Sequence, residues 1–109
     1  MDFLRLASLL DMDEADFREL VELFISVTLA DLDKIRKGIH ANHPEEAAAG
    51  AHSIKGAAGN LGFEALAALA RTMEAQAKSG SLDKFEIYMA DLEAQVQALA
   101  GKLDSISEA

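Results

Sequence analysis

Apolar residues recur at intervals of three and four along most of the chain, in four long segments separated by short polar or glycine-bearing breaks. That interval marks one face of an α-helix, whereas a half-buried strand would alternate. The first segment puts Phe17, Leu20, Val21, Phe24, Thr28, Leu32, Ile35 and Ile39 on one stripe and predicts a helix from about residue 13 to 39. Asp11, with Glu14 three residues later, reads as a capping box at its start, and acidic side chains suit that end of the helix dipole. Residues 3 to 10 predict a short preceding helix, with Leu4, Leu6, Leu9 and Leu10 as its apolar residues.

The second long helix, about 44 to 61, opens on Asn42-His43-Pro44-Glu45-Glu46, since proline is tolerated in a first turn and glutamates favour the dipole there. Ala47, Ala51, Ile54, Ala58 and Leu61 form its buried stripe, and Gly62 ends it by taking the left-handed conformation. A third helix, about 63 to 79, turns Leu66, Leu69, Ala70, Met73 and Ala77 inward and is broken by Ser79-Gly80-Ser81. The fourth, about 82 to 103, lines up Phe85, Met89, Leu92, Val96, Leu99 and Leu103 with heptad-like spacing, and residues 104–109 are expected to fray. Short connections between long helices imply antiparallel neighbours. The expectation is an all-α fold, an up-down-up-down antiparallel four-helix bundle with a short extra N-terminal helix, formed by residues 1–109 as a single domain.

Composition agrees and removes whole classes of function. Sparse valine, threonine and tyrosine, with a single proline, Pro44, favour helix over strand. A net charge of −9 argues against nucleic acid and against an anionic membrane surface, both of which need clustered lysine and arginine. Without cysteine there is neither a disulfide framework nor a thiolate zinc site. The start, Met1-Asp2-Phe3-Leu4-Arg5, lacks the basic and long apolar regions of a secretion signal, and no apolar run approaches the roughly 20 residues that span a bilayer. A cytoplasmic protein is expected. His40 and His43 have a ligand-like spacing, but the break around Asn42 and Pro44 spoils it and no further ligand is evident, so they read as a solvated pair. Ser79-Gly80-Ser81-Leu82 is a helix break and not a phosphate loop, because no Gly-Lys-Ser/Thr follows.

Candidate chemistry concentrates in Ala51-His52-Ser53-Ile54-Lys55-Gly56-Ala57-Ala58-Gly59-Asn60-Leu61-Gly62-Phe63. With the buried stripe taken by Ala51, Ile54, Ala58 and Leu61, the residues His52, Lys55, Gly56 and Gly59 share another stripe, one with no large apolar residue. That predicts an exposed His52. A glycine inside a helix costs up to about 1 kcal/mol relative to alanine. Gly56 and Gly59 therefore suggest close approach of another surface, with tight helix–helix packing as the alternative. From Ala47 to Phe63 there is no carboxylate, and Lys55 is the only formally charged residue. Imidazole side chains ordinarily titrate near about 6.5, so an exposed one is largely neutral at pH 7 and available as a nucleophile. A phosphoryl group there would carry negative charge into mid-helix, and Lys55, one turn on, is the compensating cation.

His52, Lys55, Gly56 and Gly62, in the order His-x-x-Lys-Gly with a glycine ending the helix, resemble the signature of histidine-containing phosphotransfer (HPt) domains. The downstream pattern of Leu66, Leu69, Met73-Glu74, Lys78 and Gly80 is similar to that family's third bundle helix. The likeness is sharp over residues 51 to 80 and architectural elsewhere. It implies a helical bundle whose exposed His52 accepts a phosphoryl group, usually on Nε2. The donor is the receiver-domain aspartate of a (hybrid) sensor histidine kinase, and the group passes on to a response-regulator receiver domain, as in bacterial two-component phosphorelays. It further implies Lys55 as the phosphoryl-stabilising cation and Gly56 as the point of access. No cofactor is expected on this chain, Mg2+ being supplied by the partner receiver, and no ATP-dependent kinase activity of its own. Gly59, Ser53, Leu9, Met12 and residues on the first long helix are the docking candidates, and a monomer is expected.

Three other readings compete. A sensor-kinase dimerisation domain typically has a carboxylate directly after the histidine, where this chain has Ser53. The phosphoacceptor domain of a chemotaxis-type kinase resembles the same motif closely, with Met1 and the expected frayed end favouring a free-standing protein slightly. A helical interaction module without covalent chemistry would keep its function when His52 is replaced by glutamine.

Overall fold

The computed structural model describes residues 3–107, which form five helices and no strand. They are α1 (Phe3–Leu9), α2 (Glu14–His40), α3 (Pro44–Leu61), α4 (Glu64–Lys78) and α5 (Phe85–Ser107). The molecule is a helical bundle in which α3 packs against both α2 and α4, α5 lies against α2 and α4, and α1 rests on α2.

The helix ends follow from local chemistry, with three departures from the sequence-based expectation. The cap of α2 is Asp13, whose carboxylate accepts the backbone N–H of Asp16 at 2.9 Å. Asp11 instead takes a left-handed φ of 55° in the turn before it, so the expected Asp11–Glu14 capping box does not form. In α1 the inward residues are Phe3 and Ala7, while Leu4, Leu9 and Leu10 are exposed. Phe3 is buried there with its ring edge-on to Phe17, at 5.7 Å between centroids, a favoured aromatic geometry. Finally, α5 starts at Phe85, not Leu82, and stays helical through residues 104–107, the stretch expected to fray. Residues 108 and 109 lie outside the described residues.

The two turns around the middle helices depend on positive φ. Gly62 ends α3 at φ 81°, with its N–H bonded back to the carbonyl of Gly59. Gly80 takes φ 86° after α4. A side chain at either position would be strained.

The core runs along the bundle as the apolar stripes predict. Phe17, Val21, Phe24, Leu32 and Ile35 of α2 meet Ala47, Ala51, Ile54, Ala58 and Leu61 of α3, all buried. Phe63, between α3 and α4, packs edge-on against both Phe17 and Phe24. Small residues let α2 and α3 approach closely. A Cβ at Gly50 would stand 2.6 Å from Ile35 Cγ1, and one at Gly38 would stand 2.9 Å from the backbone nitrogen of Ala47. Because α3 turns its alanines inward, its opposite face is free to carry polar residues between α2 and α4.

Candidate functional site

His52 stands on that outward face, one residue past the buried Ala51, and its side chain is 66 % exposed. Its Nδ1 lies 2.7 Å from Oε2 of Glu74, on the facing turn of α4. Lys55, one turn along α3, donates from Nζ to the other carboxylate oxygen, Oε1, at 2.6 Å. Lys78, one turn beyond Glu74 on α4, approaches Oε2 at 3.2 Å. One carboxylate thus joins three nitrogen groups drawn from two helices.

Glu74 is the element that the stretch around His52 could not reveal. Its side chain is only 6 % exposed. Read from position 74 alone, the signal was present: Glu74 falls four residues after Ala70 and three before Ala77, on the buried stripe of α4, where an acidic residue needs partners. Those partners hold its carboxyl at about 2, from an ordinary 4.5. The Lys55 hydrogen bond lowers it most, burial opposes, and the bonds from Lys78 and His52 lower it further. At neutral pH Glu74 is therefore an ionised carboxylate and can only accept.

That fixes the tautomer of the ring. Facing a pure acceptor, Nδ1 of His52 must carry the proton and donate it, so in the neutral ring Nε2 holds the lone pair. The basic nitrogen is the one turned away from Glu74. The arrangement presents an oriented imidazole nucleophile with an ionised carboxylate behind it and two ammonium groups at its side.

The remaining sequence candidates divide by location. Gly56 and Gly59 are exposed, and a Cβ at either would meet nothing within 4 Å. The helix–helix packing alternative applies to Gly38 and Gly50, not to this pair. Ser53 is also exposed, and its hydroxyl donates to Asp31 of α2 at 2.6 Å, tying the two helices beside His52. Leu9 and Met12 belong to the α1 end of the bundle, where Leu6 packs over Gly62, ten residues beyond His52. At a rise of about 1.5 Å per residue that is roughly 15 Å along α3. On α2, sequence reasoning named no particular residue, yet Leu23 and Val27 are exposed there and border a shallow apolar groove with Ala57 and Asn60 of α3.

The described residues contain no group of three or more metal-ligating side chains and no helix long and apolar enough to cross a membrane. Comparison with protein families returns the Hpt domain, matched over residues 19–102. The chain belongs to the Hpt domain family. Such domains carry out phosphotransfer in two-component signalling and interact with receiver domains and kinases. The match covers α3 and α4 entire, and with them His52, Lys55, Glu74 and Lys78 of this Hpt domain. Searches of curated proteins and of solved structures returned no match.

Proposed function

We propose that this Hpt domain is a phosphorelay carrier whose phosphoacceptor is His52. The group comes from the receiver-domain aspartate of a hybrid histidine kinase and goes to a response-regulator receiver domain. In this reading α2 to α5 make an up-down-up-down four-helix bundle, working as a monomer in the cytoplasm, with α1 as an added strap. The single observation that carries the proposal is the Nδ1–Glu74 contact on an otherwise exposed ring. An ordinary surface histidine has no need of a buried carboxylate to select its tautomer.

The chemistry follows from that contact. With Nδ1–H held by Glu74, the Nε2 lone pair attacks phosphorus. The Nε2–P bond forms as the P–O bond to the aspartyl carboxyl breaks, and aspartate leaves as a carboxylate. No proton has to be removed. The ring becomes a cation still hydrogen-bonded to Glu74, and that ion pair compensates the charge developed during transfer. The return step reverses these bonds, with a receiver aspartate as nucleophile and neutral imidazole as leaving group. Lys55 contributes positive charge to the site, and the receiver brings Mg2+.

The receiver would dock over the bare backbone at Gly56 and Gly59 and onto Leu23 and Val27, the apolar surface nearest to it on α2. Ser53 lies inside that footprint and Leu9 and Met12 lie beyond it.

Incubation with a phosphorylated receiver domain tests the proposal. An acid-labile, base-stable modification at His52 is expected, absent in His52→Gln while its helical content is unchanged. A His52→Gln protein that still relays phosphoryl groups would refute it.

A further inference from the structure

Two ammonium groups reach the Glu74 carboxylate, and they are not equivalent. Lys55 is 30 % exposed and bonded to Oε1 at 2.6 Å, on the carboxylate oxygen away from the ring. Lys78 is 68 % exposed, stands farther off at 3.2 Å, and shares Oε2 with His52 Nδ1, so ring and ammonium are neighbours across one atom. Lys78 also borders the same open groove between α3 and α4 as the His52 ring. Between His52 and Lys78 the groove is walled by the small residues Ala48, Ala49, Ala77 and Gly80, with Pro44 and Glu45 of the first turn of α3 also lining it, and Lys55 does not line it.

We infer that Lys78 is the phosphoryl-binding cation of this domain, while Lys55 stays with Glu74 as a positioning residue. The inference rests on the phosphotransfer reading and adds a residue to which that reading gave no role. Phosphorylation turns the ring into a cation. Two positive groups then compete for Oε2, and the shorter contact, at 2.7 Å, belongs to the ring. Lys78 is the exposed partner of a nearly buried carboxylate and makes the longest of its three contacts, so its ammonium is the one that solvent already shares. The four-carbon stem of Lys78 lets its ammonium leave Oε2 for the phosphoryl oxygens, which carry close to two negative charges at neutral pH. Lys55, more enclosed and on the other oxygen, has no competitor and keeps Glu74 aimed at Nδ1. No bond to hydrogen changes in this step; one ammonium exchanges a carboxylate for a phosphate partner.

Phosphoramidate in an ammonium buffer of fixed composition tests this without any docking partner, because the small donor phosphorylates the ring and releases ammonia. The quantity read is the equilibrium occupancy of phosphohistidine at position 52 in the unmodified protein and in K78Q, K78R and K55Q. Circular dichroism serves as the check that each is folded. At low ionic strength K78Q should lower the occupancy ratio about three- to tenfold, the range for one charge-assisted contact at an exposed site. K78R should restore it. The deficit should shrink toward nothing near 1 M salt, where the screening length falls to about 3 Å, and a purely structural contribution would not follow that course. K55Q should slow the approach to equilibrium and leave the final occupancy within about twofold, since the bond it loses orients Glu74 and does not touch phosphate. Equal occupancy in K78Q and the unmodified protein at low salt, or a salt-dependent loss in K55Q alone, overturns the assignment of Lys78. An unmodified protein that never carries phosphate at His52 removes the phosphotransfer reading itself, and this inference with it.

Discussion

Glu74 accepts hydrogen bonds from His52 and Lys55 and an ion-pair contact from Lys78, and a neutral amide in its place cannot serve all of them. In Glu74→Gln the amide oxygen can still face Nδ1 of His52, but its NH2 group then confronts an ammonium. The ring loses its fixed tautomer and the cation formed on transfer loses its counter-charge. Phosphoryl transfer from a receiver to His52 should fall by at least about tenfold, as expected when an oriented charge facing the reacting group is removed. The same substitution leaves Lys55 half-buried without its carboxylate and should lower stability by about 1–3 kcal/mol, readable as a shift in the urea midpoint. Unchanged transfer in a folded Glu74→Gln protein would show that the contact does not set the reactive nitrogen.

Within α3, glycines of the same chemistry have opposite consequences. Gly50 faces α2, where Ile35 Cγ1 and the carbonyl oxygen of Asp31 stand 2.6 and 3.1 Å from an added Cβ. Gly59 faces solvent with nothing in reach. Gly50→Ala should therefore destabilise the protein by about 1–3 kcal/mol, the range for forcing an extra carbon into a packed contact. Gly59→Ala should stabilise it by about 0.5–1 kcal/mol, because alanine is the better helix former and meets no obstacle. Thermal unfolding of the two variants distinguishes them by sign. A native helix that keeps two such glycines on its outer face gives up stability there, and clearance beside His52 is what it receives.

Across the whole molecule, the buried carboxylate couples folding to acidity. Its carboxyl group titrates at about 2 in the folded protein, against an ordinary 4.5. Glu74 therefore binds a proton more readily when the chain is unfolded, and its ionised form contributes stability that is fully present above about pH 4.5. That contribution disappears progressively as the pH falls from 4.5 toward 2. The stability difference between the unmodified protein and Glu74→Gln should narrow between about 4.5 and 2, followed by urea unfolding at each pH. The comparison matters because a chain with 19 acidic residues has other carboxylates titrating in the same range, and the difference isolates one of them. A gap that stays constant down to pH 2 would remove Glu74 from the acid response.

The helices were legible in the order of residues because helix formation and its punctuation are local. A stripe of period 3.6, a proline in a first turn and a glycine past a last turn act within a few positions of one another. The exposure of His52 and the bareness around Gly56 and Gly59 were legible for the same reason, since both follow from which stripe of α3 is apolar. What the chain's order left open was everything that depends on a second helix. Phe3 rather than the leucines anchors α1 because Phe17 of α2 lies opposite. Above all, the stretch around His52 reads as free of carboxylate, yet the structure brings one from 22 residues away to within 2.7 Å of the ring. Side-chain hydrogen bonds and ion pairs act over a few ångströms, whatever the distance along the chain. The proposed nucleophile, His52, was therefore legible in local order, whereas its tautomer, its counter-charge and its neighbouring cations were decided by the packing of α3 on α4.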